Sequence, residues 1–118
     1  GYELGRQLEV ETIFAERIDG QMKLRRGFSI PENSKVLVVE DVITTGKSAL
    51  ECAEIIKKNK SKVIGFACII DRSNKTVLIK DKIVSQLKLE IATFKENKLP
   101  EDLKKITPTK PGSRSFYK

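Results

Sequence analysis

Residues 40–48 read Glu-Asp-Val-Ile-Thr-Thr-Gly-Lys-Ser, two adjacent acids followed by hydroxyls around a glycine, and they come directly after the apolar run Val36, Leu37, Val38, Val39. Core packing does not call for two like charges side by side, so the pair needs a chemical reason. A turn of small residues between a buried strand and a helix presents free backbone N–H groups, and the helix N-terminus adds a positive dipole end. Thr44, Thr45, Gly46, Lys47 and Ser48 thus suit a phosphate monoester, with Gly46 expected to let the backbone approach it and the hydroxyls adding donors. Glu40 and Asp41, just before that cradle, can accept hydrogen bonds from vicinal hydroxyls and hold the waters of a divalent ion. A phosphate cradle beside a diol-and-metal site describes a ribose 5-phosphate ligand. The plain alternative is that Asp41 and Thr44 only cap the following helix. The Gly-Lys-Ser ending mimics a Walker loop, but the G-x-x-x-x-G-K-[ST] spacing is missing.

The rest of the composition narrows the chemistry. Histidine is absent, which removes the usual general base for Ser-His or Cys-His nucleophilic catalysis and leaves carboxylates, cations and backbone amides. Cys52 and Cys68 have neither a second pair nor a histidine to complete a zinc site, and they read as reduced core residues. Lys plus Arg (23) exceed Asp plus Glu (16), a net charge of +7 that suits a polyanionic partner. Tryptophan is absent and Tyr numbers only two, so no aromatic platform accompanies the basic residues and phosphate-bearing small molecules fit better than nucleic acid. No apolar run reaches the ~20 residues of a bilayer span, and the opening GYELGRQLEV lacks a signal-peptide layout; a cytoplasmic protein with no membrane partner is expected.

At 118 residues the chain is one domain. It opens on Gly1 without an initiator methionine, and Tyr2 to Glu9 reads as the tail of a helix already under way, so a piece of a longer protein is expected. Thr12 to Glu16 has strand composition, and Asp19-Gly20 is a hairpin dipeptide leading into a return arm that carries Lys23, Arg25 and Arg26. Pro31 to Ser34 is a turn. Lys35 to Val42 reads as a strand buried on both faces, because its apolar run is continuous. Ala49, Cys52, Ala53 and Ile56 then recur at helical spacing, with Lys57, Lys58 and Lys60 at the dipole's negative end. A second buried strand, Val63 to Ile70, precedes Asp71-Arg72-Ser73. Strand, helix, strand makes a right-handed crossover with a parallel sheet, whose ligands collect at the strands' carboxyl ends. One or two more strands are expected within 76–94, and a short helix within 98–105.

Two acids, two apolar residues and Thr-Thr-Gly after a strand resemble the phosphoribosyl pyrophosphate (PRPP) motif of the type I phosphoribosyltransferases, here residues 36–48. The wording EDVITTG is similar to that of the orotate phosphoribosyltransferases, and IFAER, MKLRRGF, DRS and the closing PGSR agree with it. The resemblance implies an α/β fold of the type I phosphoribosyltransferase kind, a parallel sheet with flanking helices, spanning 1–118 and lacking its N-terminal part. It further implies that Glu40 and Asp41 hold the ribose hydroxyls with the help of Mg2+, bound through substrate and water and by no direct protein ligand. Thr44 to Ser48 would bind the 5-phosphate, and Thr44 with Arg72 the orotate; an arginine can meet a carboxylate with two parallel hydrogen bonds. A bland alternative for Arg72 is an ion pair with Asp71.

In the family a mobile loop, here about 17–27, closes over the pyrophosphate, often in a homodimer with a shared active site. Arg17, Lys23, Arg25 and Arg26 are accordingly the candidate catalytic cations together with Asp41, or else a solvated basic hairpin. The implied activity is transfer of the ribose 5-phosphate group of PRPP to orotate, giving orotidine 5-phosphate and pyrophosphate in pyrimidine biosynthesis. Alternatives are a purine or xanthine phosphoribosyltransferase, or a regulator that keeps the PRPP site as a sensor and turns its basic charge towards nucleic acid. The family's upstream pyrophosphate loop, a further strand and part of the hood over the base are not among residues 1–118, so these residues alone are not expected to catalyse. A Cys-Pro-x-Cys common in the PGSR branch is replaced by KLPEDLKK.

Overall fold

The computed structural model describes residues 1–74, 77–92 and 94–107. A helix α1 (Tyr2–Leu8) leads to a hairpin of β1 (Ala15–Ile18) and β2 (Gln21–Leu24); β3 (Lys35–Ile43), α2 (Lys47–Lys58), β4 (Lys62–Asp71) and β5 (Ile83–Lys88) follow, then a 3-10 turn (Glu96–Lys98) and α3 (Glu101–Lys104). The strands form a two-stranded antiparallel ribbon, β1-β2, and a parallel sheet in the order β3-β4-β5. The parallel α/β architecture is the one expected.

Asp19 and Gly20 both take positive φ (49° and 78°), the backbone that makes a two-residue turn follow the twist of its strands. The hairpin is therefore where the Asp-Gly signal puts it, but its ladder starts at Ala15, later than the Thr12 expected from composition, and β2 ends at Leu24. Arg25 and Arg26 stand beyond the strand: the Arg25 N–H still donates to Phe14 O (2.9 Å), and the chain turns at Arg26-Gly27.

The sheet is less covered than its continuous apolar run suggests. Helix α2 packs on one face, where Val38, Phe66 and Cys68 meet Ala49, Ala53 and Ile56 in the core, with Val36 and Ile83 at its margin. Opposite lie Leu37, Val39 and Ala67, only partly buried, beside Ile69 and Val84, which are 61% and 59% exposed. The expectation of a strand buried on both faces thus fails for β3: α2 shields one side, and nothing comparable shields the other among the described residues. Cys52 and Cys68 are free thiols, half-buried and buried, raised above the usual range by burial and neighbouring acids.

After β4 the described residues of 76–94 contain a single strand, β5, which pairs parallel to β4 from Phe66↔Ile83 to Asp71↔Lys88. The expected helix at 98–105 is shorter, splitting into the 3-10 turn and α3, because Pro100 interrupts the hydrogen-bond ladder between them. The closing PGSR, residues 111–114, lies outside the described residues.

Candidate phosphate-ribose site

A small open pocket lies where β3 ends and α2 begins, lined by Glu40, Val42 and Ile43 of the strand and by the turn from Thr44 through Ser48 to Ala49. The turn's shape is set by Gly46, whose φ of 77° belongs to the left-handed region and which is itself buried. A Cβ on Gly46 would stand 2.7 Å from both Cδ1 and Cγ1 of Ile79. The positive φ and the segment packed behind the turn thus each demand a glycine at this position. That backing is completed by the Leu78 N–H, which donates to Thr45 O (2.9 Å), while Ile79 is buried in the core.

No side chain caps α2. The Thr45 hydroxyl reaches the Lys47 N–H only at 3.4 Å, and the Asp41 Oδ1 accepts from the adjacent Val42 N–H (2.7 Å). The helix-cap alternative for Asp41 and Thr44 is thus not the arrangement adopted. Beyond Lys47 the first turn of α2 has no side-chain cap on its N–H groups, and Ser48 and Ala49 line the pocket at the positive end of the helix dipole.

Strand geometry separates the two acids, since successive side chains point to opposite faces. Glu40 faces the α2 side and lines the pocket; its carboxyl is raised above its ordinary range by burial and then by the charge of Asp41. Asp41 is exposed on the other face. The repulsion that made the pair conspicuous is reduced by this divergence, yet Glu40 still feels its neighbour.

Arg72 follows β4 directly, and its N–H donates to Ile43 O (2.8 Å), which fixes it next to the turn at the sheet's carboxyl end. Its Nε is buried with no hydrogen-bond partner, and it makes no ion pair with Asp71 among the described residues. Asp71 is occupied otherwise. It is buried and accepts from the Ser73 N–H (2.7 Å); burial opposes its charge, but the Ser73 bonds and the charge of Lys88 outweigh that and hold its carboxyl below the usual range.

Of the hairpin cations, Arg17 donates through Nη1 to Gly20 O (2.6 Å) and pairs through Nη2 with Glu51 of α2. Lys23, Arg25 and Arg26 are exposed and form no ion pair among the described residues. The pocket lining thus unites Glu40 with Thr44, Thr45, Gly46, Lys47 and Ser48, whereas Asp41, Arg72 and the hairpin cations stand outside it. Glu51 and Ile79 escaped the sequence reading. Each acts through a partner more than thirty positions away, Arg17 and Gly46 respectively, and no local pattern signals that.

Comparison with known proteins gives a consistent picture. The model of the phosphoribosyl transferase domain family matches residues 4–105. Orotate phosphoribosyltransferase from Caldicellulosiruptor bescii is 52% identical over 113 residues, 96% of this chain and 60% of that protein, and the one from Methylorubrum extorquens is 44% identical over 119 residues, 100% of this chain and 61% of that protein. This chain spans about 60% of the length of these relatives. Among solved structures, adenine phosphoribosyltransferase from Leishmania donovani superposes with a TM-score of 0.59 at 19% identity, covering 75% of this chain and 50% of that one. The adenine phosphoribosyltransferase from Thermoanaerobacter pseudethanolicus gives 0.58 at 16%, covering 75% and 62%; both show a shared fold. With the family model matching from α1 to the end of α3, across the strand-turn-helix pocket, the chain belongs to the phosphoribosyl transferase domain family.

Proposed function

We propose that the protein is an orotate phosphoribosyltransferase, transferring the ribose 5-phosphate group of PRPP to orotate with release of pyrophosphate. The observation that carries the phosphoribosyl part is the uncapped N-terminus of α2 facing a pocket that contains one carboxylate, Glu40. The choice of orotate is supported by the relatives of that name at 40–52% identity. In this reading Thr44 to Ser48 hold the 5-phosphate by backbone N–H groups, hydroxyls and the Lys47 charge. Glu40 accepts from a ribose hydroxyl inside the pocket, and Asp41 from one approaching around the strand end. The unpartnered Nε of Arg72 is assigned to the orotate carboxylate, and Thr44, which follows the Ile43 whose carbonyl accepts from the Arg72 N–H, is assigned to the same ring.

Breaking the bond from the anomeric carbon to pyrophosphate puts positive charge on the ribose ring and negative charge on the leaving oxygens. Lys23, Arg25 and Arg26, exposed and without an ion-pair partner among the described residues, are the cations assigned to meet the latter. The orotate nitrogen attacks from the opposite face, so no nucleophilic side chain and no histidine is needed. Among the described residues no group of three His, Cys, Asp or Glu could hold a metal ion, whereas one or two carboxylates plus substrate phosphates suit Mg2+. Glu40 and Asp41 would hold it through ligand oxygens and water, and when bound it would neutralise pyrophosphate charge. A cytoplasmic homodimer sharing residues between active sites belongs to the same reading; no helix among the described residues is long and apolar enough to cross a membrane.

The test is the protein at its native length with PRPP, Mg2+ and orotate. Loss of orotate absorbance with equimolar pyrophosphate release is the expected result. PRPP binding in calorimetry without turnover would instead make the site a sensor and refute the enzymatic reading.

A further inference from the structure

We propose that Glu51 is a positioning residue for Arg17, clamping the β1–β2 hairpin onto the same helix whose N-terminus forms the phosphate cradle. Arg17 uses both ends of its guanidinium internally: Nη1 donates to Gly20 O (2.6 Å) at the hairpin turn, and Nη2 pairs with Glu51 on α2. One bond ties Arg17 to its own ribbon and the other ties the ribbon to the helix. The pair is only partly exposed, at 36% and 28% for the two side chains, so solvent screens it less than a rim contact. Glu51 lies on α2 within the turn that follows Lys47 and Ser48, which line the pocket.

Apolar packing holds the ribbon through one strand, with β2 lying against α2. Leu24 touches the core, but β1 is exposed from Glu16 to Ile18. Glu51 lies one helical turn beyond Lys47, so a link at this point fixes the hairpin's distance from the cradle within a few ångströms. The consequence is a division of labour: Arg17 anchors, while Lys23, Arg25 and Arg26, which have no ion-pair partner among the described residues, stay exposed on the ribbon that Arg17 holds to α2. Placing those cations against a phosphate ligand rests on the function proposed above; the clamp itself does not.

The experiment compares Glu51→Gln, Arg17→Met and the double variant in the native-length protein. Tryptic cleavage after Lys23, Arg25 and Arg26, followed by mass spectrometry, reads hairpin opening directly. Glu51→Gln should speed it about threefold, as loss of a partly exposed ion pair implies, and should add nothing in the Arg17→Met background. The charge-swapped pair Arg17→Glu with Glu51→Arg should restore protection and guards against a simple folding defect. In turnover, Glu51→Gln should lower kcat with little change in ribose 5-phosphate binding, again only when Arg17 is present. Equal cleavage of wild type and Glu51→Gln, or the same acceleration in both backgrounds, overturns the clamp. A wild type without turnover refutes the proposed function and leaves the cleavage result to decide the clamp.

Discussion

Replacing Gly46 by alanine adds one methyl group where the turn between β3 and α2 is most constrained. Two effects add. At φ 77° an alanine incurs left-handed strain of about 1–2 kcal/mol. Its Cβ would also sit 2.7 Å from two atoms of Ile79, an overlap that buried packing relieves only by displacing Ile79, for about 1–3 kcal/mol more. The total, about 2–5 kcal/mol, is a large part of the roughly 5–15 kcal/mol that holds a typical domain. Gly20 is an internal control: its φ is 78°, yet a Cβ there would meet nothing within 4 Å, so Gly20→Ala should show the strain alone. Urea denaturation of the two variants should separate their stabilities by about 1–3 kcal/mol at unchanged m. Ile79→Ala removes both crowding atoms and leaves only a contact at 3.7 Å, so adding Gly46→Ala to that background should cost no more than Gly20→Ala does in the wild type. If Gly46→Ala is as mild as Gly20→Ala, or if its cost survives the removal of the Ile79 side chain, the assignment of this glycine to packing against Ile79 is wrong.

Glu40→Gln should stabilise the fold near neutral pH while weakening PRPP binding: a carboxyl raised by burial and by Asp41 favours folding when protonated, and that advantage is lost as pH rises through the raised value. Denaturation midpoints should show the variant ahead at about pH 8 and level with wild type below about pH 4; a variant less stable at both ends contradicts this. Arg72→Ala should raise the orotate KM far more than the PRPP KM, with a loss of about 2 kcal/mol in kcat/KM, whereas equal effects on both substrates would remove Arg72 from the orotate site. Residues 1–118 produced alone should self-associate in sedimentation through the uncovered sheet face, and Ile69→Lys with Val84→Lys should suppress it; a monomeric unsubstituted chain would show that the face is tolerated in water.

Much of the site was legible in the linear sequence because its parts are consecutive. The strand, the Thr-Thr-Gly turn and the amphipathic helix of Ala49, Ala53 and Ile56 are one local unit, and hydrophobic periodicity, turn chemistry and the motif follow one another without a break along the chain. The Asp19-Gly20 hairpin was legible for the same reason, since two positive φ values demand those residue types. Burial was not legible in this way. A continuous run of Val and Leu fits a strand covered on both faces, but coverage depends on what packs against it, and here α2 supplies one side only. The acid pair shows the same limit: sequence puts Glu40 and Asp41 together, and the alternation of the strand sends one into the pocket and the other to solvent. Ile79 crowds any side chain at Gly46, and Glu51 pairs with Arg17, each across more than thirty residues. Local sequence governs backbone conformation, because steric and hydrogen-bonding preferences act between near neighbours; which side chains then meet is decided by how the elements stack, and that is a property of the folded chain.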